Sequence, residues 1–139
     1  MGDAILCSED DLRTRAESLW AATAPGSVLW LEGELGAGKT TFARMVSSAA
    51  GAEPATSPTF ALIHEYPTAA GPLIHVDCYR LREPDEAIAL DFPDLARRAR
   101  ALLIEWPTRA GRHAPRPDVI VRLAHGADPR YRTLTVIAP

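Results

Sequence analysis

Apolar residues change their spacing several times along this chain, and each change marks an element. Ala4 to Cys7 reads as a short strand. Ser8, with Asp11 three residues on, forms a capping-box pattern that opens a helix, and Leu12, Ala16, Leu19 and Trp20 then recur at helical spacing as its inner face. Pro25-Gly26 stops that helix, and Val28 to Leu31 is a continuous apolar run of the kind a buried strand shows. A glycine-rich stretch from Gly33 leads into a second helix with Phe42, Met45, Val46 and Ala49 inward and Gly51 at its end.

Further on, Thr59 to Tyr66 and Leu73 to Val76 read as extended, joined into a hairpin by the turn Pro67 to Pro72. Pro84 to Leu95 is weakly helical and is expected to break at Pro93. Ala101 to Ile104 is another continuous apolar strand, and the stretch from Pro107 to Pro117, rich in Pro, Gly and Arg, reads as a loop. Val119 to Leu123 and Arg132 to Ile137 alternate as two closing strands, with His125 to Pro129 as their turn. Buried strands alternating with helices predict an α/β fold, and the hairpins predict a mixed sheet. At 139 residues there is material for one domain, 1–139, and no repeat is visible.

Composition narrows the picture. With 47% apolar and 24% charged residues the chain is that of an ordinary folded domain, which excludes disorder and coiled coil. Unbroken apolar runs reach four residues, far short of the roughly 18 of a membrane span, so no membrane association is expected. The acidic start (Asp3, Glu9, Asp10, Asp11) is unlike a secretory signal, and Leu6 rules out a myristoylation signal, so a cytoplasmic location is expected. Cys7 and Cys78 read as small buried residues rather than a disulfide framework. A net charge of -3 argues against a surface that coats nucleic acid. Arg97, Arg98 and Arg100, with Arg109, Arg112 and Arg116, read as solvated, since no aromatics interleave them for base stacking. His64, His113 and His125 lack metal-ligand spacing and read as structural or exposed.

Of the 15 basic residues only Lys39 is a lysine. A chain that uses arginine everywhere else keeps one compact ammonium, and that position is informative. Gly33-Glu34-Leu35-Gly36-Ala37-Gly38-Lys39-Thr40 fits G-x-x-x-x-G-K-[ST] between a predicted strand and a predicted helix, a match expected by chance about once in two thousand such chains. Glycines let backbone N–H groups converge on a phosphate where a Cβ would intrude. The helix start adds positive potential, Lys39 reaches β- and γ-phosphate oxygens, and the Thr40 hydroxyl suits Mg²⁺. The fold expected is therefore a single P-loop NTPase-like domain: a mixed, mostly parallel central sheet flanked by helices, with C-terminal antiparallel strands. Such a site needs a carboxylate at a strand end, and Asp77 after Leu73 to Val76 and Glu105 after Ala101 to Ile104 both qualify. ATP is preferred to GTP because the chain has no asparagine and no second lysine for an N-K-x-D guanine reader.

Four stretches together resemble the TsaE family of bacterial ATPases in tRNA threonylcarbamoyladenosine biosynthesis: Gly33 to Phe42, Thr56-Ser57-Pro58-Thr59-Phe60, His75-Val76-Asp77-Cys78-Tyr79-Arg80-Leu81 and Leu103-Ile104-Glu105-Trp106-Pro107. The resemblance implies an Mg²⁺-dependent ATPase, slow alone, that licenses the TsaB–TsaD pair between turnovers and meets tRNA indirectly or weakly. Carried over by position, Gly33 and Gly36, Ala37, Gly38, Lys39, Thr40 and Thr41 would hold the phosphates. Thr40 and Glu105 would hold Mg²⁺, and Asp77 would stand near the γ-phosphate; which acid positions the attacking water stays open. The segment around Thr59 resembles a γ-phosphate sensor, Trp106 lies beside the metal acid, and Arg130 is a candidate nucleotide contact. Lys39, Asp77 and Glu105 are the catalytic candidates. Leu12 replaces a usual threonine, Cys78 a usual leucine, and Asp91 stands near a usual glycine, where the backbone is expected to differ. A small-molecule kinase with Arg109 to Arg116 as its lid, and a nucleotide-dependent binding module without turnover, are the competing readings.

Overall fold

A computed structural model describes residues 2–52 and 62–139. Seven strands form one sheet: β1 (Ile5–Cys7), β2 (Ser27–Glu32), β3 (Ile63–Tyr66), β4 (Leu73–Asp77), β5 (Ala101–Glu105), β6 (Val119–His125) and β7 (Arg132–Ile137). Their order across the sheet is β1-β7-β6-β2-β5-β4-β3. β6, β2, β5 and β4 are parallel neighbours, whereas β7 and β3 pair antiparallel with the strands beside them. The mixed sheet expected from the pattern is present, with four parallel strands at its centre and antiparallel pairs at both edges. β5 is buried along its whole length and β4 up to Ile74-His75-Val76, as expected of parallel strands covered on both faces.

Helix α1 (Glu9–Ala22) starts at the Ser8–Asp11 capping box, in which each side chain accepts from the other's backbone N–H at 3.1 and 2.9 Å. It and α2 (Lys39–Ala49) lie on one face of the sheet, where Leu12, Ala16, Phe42, Met45 and Val46 meet Leu29, Leu31, Leu103 and Leu123. On the other face, α3 (Phe92–Arg98) and two 3₁₀ segments, Pro84–Leu90 and Pro107–His113, cover Val28, Ile74, Val76, Leu102 and Ile104. Cys7 and Cys78 are both buried, one in each layer.

Three local expectations need correction. Pro93 does not break a helix: it sits in the first turn of α3, where a missing N–H costs nothing, and the break is at Asp91. Asp91 takes φ +53°, a conformation glycine favours, and its carboxylate caps α3 by accepting from the Asp94 N–H at 3.4 Å. The stretch from Pro107 is not a bare loop but 3₁₀ turns interrupted at Gly111, beyond which Asp85 pairs with Arg112 at 3.5 Å and with His113 at 2.8 Å. Arg100 is not a solvated arginine: it stacks on Trp20 at 4.6 Å and donates to the Thr23 carbonyl at 2.9 Å.

Candidate functional site

Strand alternation decides which side chains meet. Asp77 and Glu105 are register partners on the parallel neighbours β4 and β5, so both project from the same face. That face is the one covered by α2, whose first turn starts directly after the glycine-rich loop that follows β2. β2 leads through α2 to strands that lie beyond β5, so the carboxyl ends of β2, β5 and β4 border an open crevice of the kind where ligands bind in such sheets.

The loop is built for close approach. Gly33 has φ +152°, and a Cβ there would sit 2.3 Å from the Leu123 carbonyl oxygen. Gly36 and Gly38 are left-handed, at φ +77° and +102°. Gly38 is also the N-cap of α2 and offers no side-chain cap, which leaves first-turn N–H groups for an external acceptor. Lys39 is folded back into the loop: its ammonium donates to the carbonyls of Gly33 at 2.6 Å and Glu34 at 2.9 Å and lies 4.7 Å above the Trp106 ring. Only 5% of the residue is exposed. Burial pulls the ammonium below the ordinary lysine range, opposed by the nearby carboxylates of Glu105, Asp77 and Glu34. A buried cation held by carbonyls, next to a helix start without a cap, is a constellation suited to a multiply charged anion.

The Thr40 hydroxyl donates to Glu105, at 3.3 Å from Oε1 and 3.2 Å from Oε2. Glu105 is 3% exposed and is contacted from below by the His75 ring, Nε2 to Oε2 2.5 Å. Asp77 is less buried, and its Oδ1 accepts from the Tyr79 N–H at 3.0 Å. Hard oxygen donors in this small number fit Mg²⁺, which keeps much of its water and takes few protein ligands. Among the described residues, no cluster of three or more His, Cys, Asp or Glu has the makings of an all-protein metal cage.

Gly36, Gly38, Lys39, Thr40, Thr41, Asp77, Glu105 and Trp106 line one cavity of about 300 Å³. Ala37 is fully buried beneath it. Gly33 lies instead along a larger cavity of about 540 Å³, shared with Trp106 and Arg122, which contains none of Lys39, Thr40 or Glu105. Glu32, Glu34 and Arg122 line the larger one, whereas Lys39, Thr40, Asp77 and Glu105 line the smaller. Arg130 is held at Asp128, its side chain 80% exposed, and does not line the cavity; Arg132, given no role from sequence, does. Thr59 and the Thr56 to Phe60 stretch lie outside the described residues. Tyr79 and His75 were also missed as site residues. Tyr79 packs on Trp106 at 5.1 Å, with Arg109 across both rings at 5.0 and 5.5 Å. Strand alternation puts His75, two residues before Asp77, on the same strand face, but its pairing with Glu105 comes only from the register of β4 and β5.

The pattern of the family described as "Threonylcarbamoyl adenosine biosynthesis protein TsaE" matches residues 6–133. The protein named tRNA threonylcarbamoyladenosine biosynthesis protein TsaE from Bacillus subtilis (strain 168) is 34% identical over 131 residues, covering 92% of this chain and 81% of its own length. Its namesake from Aquifex aeolicus (strain VF5) is 37% identical over 110 residues, covering 77% of each chain. A solved structure titled "Crystal structure of Bacillus subtilus YdiB" superimposes with a TM-score of 0.73 at 26% identity, covering 100% of this chain and 88% of that one. A family pattern spanning nearly the whole sequence, with relatives this similar over most of their length, places the chain in the TsaE family.

Proposed function

We propose that this protein is a Mg²⁺-dependent ATPase that serves threonylcarbamoyladenosine formation on tRNA, with its ATP cycle coupled to turnover of a TsaB–TsaD pair. The relatives' names supply the pathway. The observation that carries the ATP reading is the chain's one ammonium, buried in the glycine loop beside a hydroxyl and carboxylate pair suited to Mg²⁺. On this reading Lys39 exchanges its two carbonyl partners for β- and γ-phosphate oxygens, and the α2 N–H groups complete the cradle. Thr40 and Glu105 hold the metal and its water shell, and Asp77 orients the attacking water. Mg²⁺, when bound, neutralises charge on the phosphates. The tRNA is met through the partners, in keeping with the net charge of -3.

Of the Arg109 to Arg116 stretch that the kinase reading would use as a lid, Arg112 and His113 pair with Asp85 and Arg109 lies over the Tyr79 and Trp106 rings, so an assay without acceptor separates the two readings. Phosphate release from ATP without any acceptor, accelerated by TsaB–TsaD, is the expected assay result. Lys39→Ala should weaken ATP binding by on the order of a hundredfold, since a charged hydrogen-bond partner is lost inside a desolvated pocket. Undiminished affinity, measured by calorimetry, would remove the phosphate-cradle assignment.

A further inference from the structure

Buried charge needs an explanation, and Glu105 is the most buried acid described, at 3% exposure. Its two oxygens are not equivalent. Oε2 receives the His75 ring nitrogen at 2.5 Å as well as the Thr40 hydroxyl, while Oε1 keeps only the Thr40 hydroxyl among the described residues. His75 is itself 4% exposed and is fixed by strand register, two residues before Asp77 on the same face of β4. The rings of His64 and Tyr66 extend this row toward the sheet edge: His64 sits 5.9 Å from His75 and 6.5 Å from Tyr66. An ionised carboxylate only accepts, and with Glu105 as one the hydrogen between the pair is assigned to Nε2.

We infer that His75 is the positioning residue of Glu105: its Nε2–H clamps one carboxylate oxygen and thereby aims the other, beside the Thr40 hydroxyl, at the metal's water shell. The inference rests on the ATPase reading and adds a residue that touches neither nucleotide nor metal. The physical reason is rotational. A glutamate on three rotatable bonds, buried with the Thr40 hydroxyl as its one remaining described partner, would turn or draw water. Outer hydrogen bonds of this kind typically change metal affinity or activity about 10- to 100-fold.

The test compares ATP affinity in Mg²⁺ with affinity in EDTA, by calorimetry, for the wild type, His75→Leu and His75→Gln, alongside a thermal melt of each. Glutamine can place an N–H near the Nε2 position, and leucine cannot. The expected result is that His75→Leu loses about tenfold or more of the Mg²⁺ enhancement while its affinity in EDTA is unchanged, and that His75→Gln keeps most of it. A leucine variant with the full enhancement overturns the inference. So does an equal loss with and without metal, which marks a merely structural contact, and so does a glutamine variant as impaired as leucine.

Should either variant fail to melt cooperatively, ¹⁵N spectra of the wild-type histidine rings at a fixed neutral pH decide instead. A proton on Nε2 of His75 is expected, and a ring protonated on Nδ1 alone overturns the clamp. A wild-type protein that binds no nucleotide refutes the ATPase reading, whereas the ring spectra report on the clamp independently.

Discussion

The ends of β4 and β5 carry two acids in register, one strand apart, on one face of the sheet, yet their surroundings differ. Glu105 is buried and held by Thr40 from α2 and His75 from β4. Asp77 is partly exposed, and its described contact is the backbone N–H of Tyr79 two residues on. Identical charge and adjacent position therefore do not give equal roles. A carboxylate with its rotamer fixed by neighbours is suited to a metal's coordination shell, where tolerances are tight. One whose described hydrogen bond is to its own turn, facing a cavity near the Lys39 ammonium, is suited to adjust to a water that moves during a reaction cycle.

The contrast breaks first at Glu105. Glu105→Gln keeps the shape and removes the charge, and we expect hydrolysis to fall on the order of a thousandfold, as loss of several kcal/mol of charge stabilisation implies. Stoichiometric phosphate release over hours measures it; a fall of tenfold or less would mean that the buried acid is structural. Asp77→Asn should fall less, about a hundredfold in kcat, the scale for loss of a proton-handling group, while ATP affinity stays within about threefold. If the two variants are equally impaired in binding and in turnover, the division of labour between the strand ends is wrong. Thr40→Ala comes next, with the Mg²⁺ concentration for half-maximal rate rising roughly tenfold, the worth of one hydrogen bond to a charged partner. An unchanged metal titration would remove Thr40 from the coordination shell.

Much of this was legible in the sequence because the local signals are strong and agree. The capping box, the continuous apolar runs and the glycine loop each specify one backbone solution, and the structure contains all three. What periodicity could not supply was the meaning of proline and the placement of charge. Pro93 reads as a breaker and Pro107 as the start of a loop, although in both cases proline stands at a helical first turn, preceded nearby by a left-handed residue, Asp91 or Trp106. The role of His75 was hidden for another reason: it depends on a partner thirty positions away, and only the parallel register of β4 and β5 brings the two together. Likewise Arg100 looked solvated until the fold set it against Trp20.

A like contrast, between an arginine paired with an acid and one bonded to carbonyls, recurs where the turn after β6 enters β7, and there it predicts the smallest effects. Arg130 spends its guanidinium on Asp128, with Nε and NH2 both within 3.2 Å of the carboxylate, in an exposed turn where such pairs are screened. Arg132 donates through one nitrogen to the carbonyls of Pro129 and Tyr131 and lines the cavity with Gly36, Thr41 and Trp106. Among the described residues no acid pairs with it, so a phosphate or sugar oxygen gains from its presence. Arg132→Ala should weaken ATP binding severalfold, about the worth of one charged hydrogen bond partly exposed to solvent. Arg130→Ala should leave it unchanged. Calorimetry of the two variants side by side distinguishes them, and a larger loss at Arg130 would mean that the turn rearranges around nucleotide, freeing Arg130 from Asp128 to reach the site.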